Sequence, residues 1–342
     1  MKDDDPNNAE SYFINMLEEV RAKLAHLDED SPIKCSFPQS RLDAIREKIE
    51  ASNSGALEWG RWQPPFLFLR NSDDAAIRSF DDDLRFVKSR SATNNRKTFE
   101  FLEIDSEDTQ PWVGGVFEIY VKSALLRSAE ASKASLDWKL ANGRRPDLKI
   151  DLDGRSICIE CTSLGESRAS YERWSQHAGS LQADHDAAFG ECLDAYTQSR
   201  RLYAKVFDKI APQFDADRGQ LNTEGTNLLL ISLNAVTSDL SARSPAVGWA
   251  LDELFASQPN GNQTPASLCQ WLLHQLHTAQ QPKSSLDDLL KALSRVSGII
   301  VFDGCRLGAA RINYNAEAVH TITHDEMAIF ERLLSVPPLY AQ

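Results

Sequence analysis

The stretch from Gly143 to Leu164, Gly-Arg-Arg-Pro-Asp-Leu-Lys-Ile-Asp-Leu-Asp-Gly-Arg-Ser-Ile-Cys-Ile-Glu-Cys-Thr-Ser-Leu, constrains the chain more than any other. Leu148, Ile150, Ile157 and Ile159 are strand formers, and they flank Asp153-Gly154, a dipeptide suited to a tight hairpin turn. The turn is expected over Asp151 to Arg155. Side chains on a strand alternate between faces, so Asp147 and Lys149 share one face of the first strand, and Cys158, Glu160 and Thr162 share one face of the second. Leu148, Ile150, Ile157, Ile159 and Cys161 are then expected on the opposite, buried face. An acid within an apolar strand needs compensation, because an unpaired buried carboxylate costs roughly several kcal/mol. A bound divalent cation would provide it.

Pro146-Asp147, a turn, and Glu160-Cys161-Thr162 in an apolar strand resemble the PD-(D/E)XK nuclease superfamily, whose motif is a Pro-Asp, a short spacer and an acid-x-lysine triplet. That superfamily also carries a glutamate on the preceding helix, and Glu118 in Gly114-Gly-Val-Phe-Glu-Ile-Tyr-Val-Lys122 matches it. The resemblance spans about 100 to 215, with a returning strand near 298 to 303. One position departs from the pattern: the lysine of the triplet is Thr162. The resemblance implies a restriction-endonuclease-like mixed β-sheet flanked by helices, and a Mg²⁺ or Mn²⁺ site.

Apolar periodicity along the rest of the chain agrees with an α/β protein. Ser11 to His26 and Gln39 to Ala51 have helical spacing, through Phe13, Leu17, Val20 and Leu24 and through Leu42, Ile45 and Ile49. With a third helix over Ala75 to Val87, residues 1–95 read as a helical accessory region. Residues 96–315 read as the nuclease-like core. Within it we expect an edge strand at Lys97 to Ile104, a helix from Gly114 to Ala131, a strand at Leu136 to Leu140, and a long helix from Asp184 to Phe214. Asn227 to Leu233 is a continuous apolar run of the kind buried on both faces of a sheet, and Val296 to Phe302 is a last strand. Residues 244–295 read as a helical insertion and 316–342 as a helical tail.

Charge and cysteine usage narrow the function classes. A formal net charge of −13 argues against coating nucleic acid non-specifically, since such binding needs a basic surface to displace counterions. Local basic patches remain: Arg85, Lys88, Arg90, Arg96 and Lys97 lie between Leu84 and Thr98 without an acid, a pattern shared by solvated loops and phosphate-contacting ones. The six cysteines are scattered, so reduced thiols are expected. Cys158 and Cys161 form a C-x-x-C, but in a strand that spacing turns the sulfurs to opposite faces, which disfavours zinc. His274 with His277, and His320 with His324, lack the acid of an H-E-x-x-H site, and no phosphate loop or nucleophile elbow occurs. No apolar run approaches the ~20 residues of a membrane span, and the start lacks the apolar core of a signal peptide, so a cytoplasmic compartment and no membrane partner are expected.

Phosphodiester hydrolysis needs a positioned water, charge neutralisation on the phosphoryl oxygens and a stabilised leaving oxygen, which carboxylate-held Mg²⁺ can provide. On the resemblance, Asp147 and Glu160 are the metal ligands, the Cys161 carbonyl a further oxygen ligand, and Glu118 an outer ligand or water-orienting group. Thr162 can donate a hydrogen bond but brings no charge, so another cation must stand in for the motif lysine. Lys149 is the first choice, being on the face of Asp147. Lys122 is one helical turn from Glu118. Arg201, Lys205 and Lys209 form a stripe of every fourth residue, and with Arg144 and Arg145 they are candidate nucleic-acid contacts. The expected function is therefore a metal-dependent nuclease acting on DNA, with homodimerisation open to it. Two alternatives stand beside it: a nuclease-like domain that binds nucleic acid or a protein without cutting, and an unrelated α/β domain in which the motif is chance.

Overall fold

The computed structural model describes residues 6–51, 64–91, 96–102, 110–128, 133–136, 138–152, 154–165, 195–212, 215–234, 245–255, 265–276, 285–303 and 306–341. The leading segment forms helices α1 (Pro6–Ala25), α2 (Pro32–Ser36), α3 (Gln39–Ala51), α4 (Pro64–Asn71) and α5 (Asp74–Arg90). Their apolar faces meet in one cluster that includes Leu17, Val20, Ile33, Leu42, Phe66, Phe80 and Leu84. Local chemistry fixes the helix ends. Asp73 caps α5 by accepting from the Ala76 N–H at 2.7 Å. The Lys23 ammonium donates to the carbonyls of Leu69, Arg70 and Ser72, at and just beyond the C-terminus of α4. Arg85, from the basic run, is committed to ion pairs with Asp81, Asp28 and Asp30.

The edge strand expected at 97–104 is instead a 3-10 helix, Arg96–Leu102, followed by residues outside those described. Consecutive Phe101 and Leu102 both enter the helical cluster, which a strand with alternating faces could not arrange. Helix α6 (Gln110–Arg127) follows, starting earlier than expected and ending earlier as well. It is buried on two sides: Phe117, Tyr120, Val121 and Leu125 face the sheet, and Ile119 joins the helical layer. A β-carbon at Gly115 would stand 2.2 Å from the Phe101 ring, and one at Gly114 would stand 3.1 Å from Ser163 Oγ. Glycine at both positions lets the helix lie close to both neighbours.

Among the described residues, six strands form one mixed sheet in chain order: β1 (Lys133–Ser135), β2 (Leu148–Leu152), β3 (Arg155–Gly165), β4 (Thr226–Asn234), β5 (Gly298–Asp303) and β6 (Arg306–Tyr314). β1, β2 and β3 are antiparallel neighbours, β3, β4 and β5 are parallel, and β6 returns antiparallel to β5. The β2–β3 register ends at Leu152 against Arg155, and Gly154 has φ +82°, as a two-residue turn requires. The strand expected at 136–140 is replaced by the earlier β1. From Trp138 onward the backbone leaves the ladder, and Leu140 closes a turn by accepting from Gly143 N–H and donating to the Arg144 carbonyl.

Helices cover both sheet faces. On one, Leu148, Ile150, Ile157, Ile159 and Cys161 meet α6 and, from the C-terminal segment, Met327 and Phe330 of the last helix. On the other, Leu229, Ile231, Leu233, Ile299 and Val301 meet Leu202, Val206 and Phe207 of α7 (Ala195–Ile210), together with α8 (Pro245–Phe255), α9 (Pro265–Leu276) and α10 (Leu286–Leu293). The last helix, α11, spans His324–Leu333. The apolar run at 227–233 is therefore the central strand β4, buried on both faces. The chain is thus an α/β protein with a mixed sheet between helical layers. Residues 184–194 and 213–214, at the two ends of the long helix expected there, lie outside the described residues. No helix among the described residues is long and apolar enough to cross a membrane.

Candidate active site

The β2–β3 ladder runs from Leu152↔Arg155 to Leu148↔Ile159, after which β3 continues from Glu160 to Gly165 with β4 as its paired neighbour. The two strands part at this point and open a fork. Asp147, one residue before β2, reaches across it: its Oδ2 accepts from the Cys161 backbone N–H at 2.7 Å. That bond satisfies an N–H that strand pairing no longer serves, and it fixes the carboxylate by backbone rather than by a flexible partner. The N–H and C=O of a strand residue point to the same side, so the Cys161 carbonyl also faces the fork.

Glu160 lies beside Asp147 with 1% exposure. From one side, α6 brings Glu118 and Lys122, paired across one helical turn. From the other, α7 brings Lys209, whose Nζ donates to Glu160 Oε1 at 2.6 Å. Three acids and two lysines from separate elements thus form one electrostatic group.

Each member feels the others. Burial, and then the charge of Asp147, push the Glu160 carboxyl up to about 8 against the opposing pull of Lys209. Burial and Asp147 also raise Glu118, against Lys122 and Lys209. Burial alone would lower Lys122 and Lys209, yet the surrounding acids outweigh it and hold both above their ordinary value. The group is one positive charge short of balance if all three acids ionise.

The shortfall has a location. Glu160 Oε2 is buried without a hydrogen-bond partner. Among the described residues no group of three or more His, Cys, Asp or Glu side chains is arranged to hold a metal ion. A cation here would therefore rest on Asp147, Glu160 and backbone oxygen, with water and substrate oxygens completing its shell. Mg²⁺ is characteristically bound in that way, through one or two carboxylates. The orphan oxygen and the hard, anionic donor set fit such an ion.

The remaining expected residues fall as follows. Thr162 is buried on the Glu160 face, with no charge to offer. Lys149, the first choice for the missing cation, has its Nζ 3.7 Å from Asp151 and 5.0 Å from the Trp138 ring centre, toward the turn end of the hairpin. Lys122 and Lys209 are the cations that meet the acids. Arg201 and Lys205 are half-buried on α7, and Arg144 and Arg145 are exposed in the turn leading to Asp147. Cys158 and Cys161 are both buried, Cys158 pushed up to about 12 by burial, as inert thiols rather than ligands would be.

Lys209 stood among the sequence candidates only as one of a stripe. A sharper signal was present: Leu202, Val206 and Ile210 mark the buried face of α7, and Lys209 lies on the border of that face, where a cation can reach the sheet. Compared with protein-family models, with curated proteins and with solved structures, the chain finds no match.

Proposed function

We propose that this chain is a metal-dependent nuclease of the PD-(D/E)XK type that hydrolyses phosphodiester bonds in DNA. The observation that carries the proposal is the Lys209–Glu160 pair in a strand fork bridged by Asp147. A buried glutamate at the diverging ends of two strands, paired with a half-buried lysine beside a half-buried aspartate and with one of its own oxygens left over, is costly for stability and supports a role in binding and chemistry.

Asp147, Glu160 and the Cys161 carbonyl would hold the Mg²⁺ or Mn²⁺ ion. When bound, such an ion polarises phosphoryl oxygen and makes water a stronger nucleophile. Lys209 supplies the positive charge that Thr162 cannot. Its raised pKa keeps it protonated at neutral pH, so it serves as an electrostatic stabiliser of phosphoryl charge rather than as a proton acceptor. Glu118 anchors Lys122 and adds negative potential to the fork, which favours a divalent cation over a monovalent one. The free thiols among the described cysteines suit the cytoplasm as its compartment.

The test is a cleavage assay on linear, circular and single-stranded DNA and on RNA, with Mg²⁺ or Mn²⁺, alongside calorimetric titration of the ion. Cleavage and ion binding in the parent, both abolished in Asp147→Asn and in Glu160→Gln, are the expected result. Ion binding that survives both substitutions would place the site elsewhere. Thr162 favours a second reading, a nuclease-like domain that binds without cutting. Metal-dependent binding with no cleavage on any substrate would select it.

A further inference from the structure

Residues 138–146, Trp-Lys-Leu-Ala-Asn-Gly-Arg-Arg-Pro, connect β1 to the first acid of the fork and contain no acid, in a chain of formal net charge −13. The segment is ordered by its own bonds. Gly143 N–H donates to the Leu140 carbonyl at 2.9 Å and Leu140 N–H to the Arg144 carbonyl at 2.8 Å. Arg144 N–H donates to Asn142 Oδ1 at 3.0 Å, and Gly143 supplies the φ of +83° that the turn demands. Asn142 Nδ2 then ties the tip to the carbonyls of Asp217 and Gly219 at 3.3 and 3.0 Å.

The charges on this ordered turn are solvent-facing. Lys139, Arg144 and Arg145 are all exposed, and the Lys139 side chain lies over the turn, with its Cε 3.6 Å from where a β-carbon on Gly143 would be. The one aromatic of the segment, Trp138, is half-buried and already faces the Lys149 ammonium. Single-strand binders combine a basic track with aromatic faces open for base stacking, whereas duplex binders make do with cations on the phosphates. Here the cations are outward and the aromatic face is engaged.

We infer that residues 138–146 are a preformed arm that holds the phosphate backbone of duplex DNA through Lys139 and Arg144, beside the fork that contains Asp147. The inference rests on the nuclease reading for the identity of the polymer. The arm's rigidity spares the ordering cost that a flexible basic loop would incur on binding. Its exposed neighbour Asp217 repels the same phosphates and limits affinity.

The experiment is fluorescence anisotropy with a short labelled DNA duplex, the matching single strand and the matching RNA duplex, across a salt series with EDTA present so that nothing is cut. In Lys139→Ala/Arg144→Ala, affinity for the DNA duplex should fall by roughly tenfold, and the slope of log K against log salt should become shallower by about 2, near one per lost phosphate contact. Asp217→Asn should tighten duplex binding. An unchanged affinity and slope in the double variant would overturn the arm, as would a preference of the parent for the single strand. Equal affinity for the RNA duplex would overturn its assignment to DNA. The two proposals fail separately: a salt-sensitive duplex binder without cleavage in any metal loses the nuclease and keeps the arm, and a double variant that binds and cuts like the parent loses the arm and keeps the nuclease.

Discussion

The ammonium of Lys209 lies 2.6 Å from Oε1 of Glu160, joining a helix on one face of the sheet to the acid whose own triplet lacks a lysine. If Lys209 supplies transition-state charge, Lys209→Met should lower the cleavage rate by about 10²-fold while ion binding persists, the scale of one lost electrostatic donor. Lys149→Ala, which breaks contacts with Asp151 and Trp138, should lower it far less. Single-turnover rates on one duplex substrate rank the two, and the reverse order would return the role to Lys149.

A swap experiment follows from the burial of Thr162. Thr162→Lys places a second cation beside Lys209 at a position only 7% exposed, and should destabilise the protein by roughly 3 kcal/mol, read by urea denaturation. Combined with Lys209→Met, the same substitution should recover part of both the stability and the activity, because one cation again faces Glu160. Additive losses in the double variant would argue that the two side chains do not serve the same carboxylate.

The pH dependence of stability has a definite sign. Glu160 and Glu118 both bind a proton more tightly in the folded chain than an unfolded carboxyl does, so the folded state holds more protons through the intervening range. The contribution of Glu160 is complete below the ordinary carboxylate pKa of about 4.3 and is lost as pH rises through about 8, and Glu118 acts in the same direction. Melting temperature in EDTA should therefore decline from about pH 5 to about pH 8, and Glu160→Gln should flatten the decline. A divalent ion competes with those protons, so its stabilising effect should grow over the same interval. A melting temperature that climbs toward pH 8 in EDTA would contradict this assignment.

Thiol chemistry offers a check on the fold that owes nothing to catalysis. Cys35 is exposed, whereas Cys158, Cys161 and Cys269 are buried, with burial raising the thiols of all three. With Cys192 and Cys305, which lie outside the described residues, changed to serine, native protein at pH 8 should yield one fast-reacting thiol. Denaturant should release the rest.

The sequence was most informative where local geometry decides structure. Asp153-Gly154 between apolar strands specified a hairpin, and its side-chain period placed Asp147 and Glu160 on a common face. The largely apolar run at 227–233, broken only by Asn227 and Ser232, similarly announced a strand covered on both sides. Local pattern was less informative where distant packing decides. Phe99, Phe101 and Leu102 read as a strand, but the helical layer draws the last two inward together. β6 carries Gly308, Arg311 and Asn313 among its apolar residues and gave no alternating signal. The Lys209–Glu160 contact was beyond strand periodicity altogether, since that periodicity ranks only residues of one hairpin and so favoured Lys149.

The close fit of Gly115 against Phe101 makes the front helical layer a mechanical stop for the helix that carries Glu118. A side chain on a cylinder roughly 10 Å across travels about 1 Å for every ~10° that the helix rolls. Displacement of about 1 Å at a reacting group can cost about 10²-fold in rate. A methyl group at position 115, or removal of the layer that seats Phe101, would let α6 roll and carry Glu118 and Lys122 with it. Aromatic packing around Phe101 thus sets the aim of an acid one turn along the same helix, and a protein trimmed to its sheet and covering helices would keep every charged residue of the fork while losing their alignment.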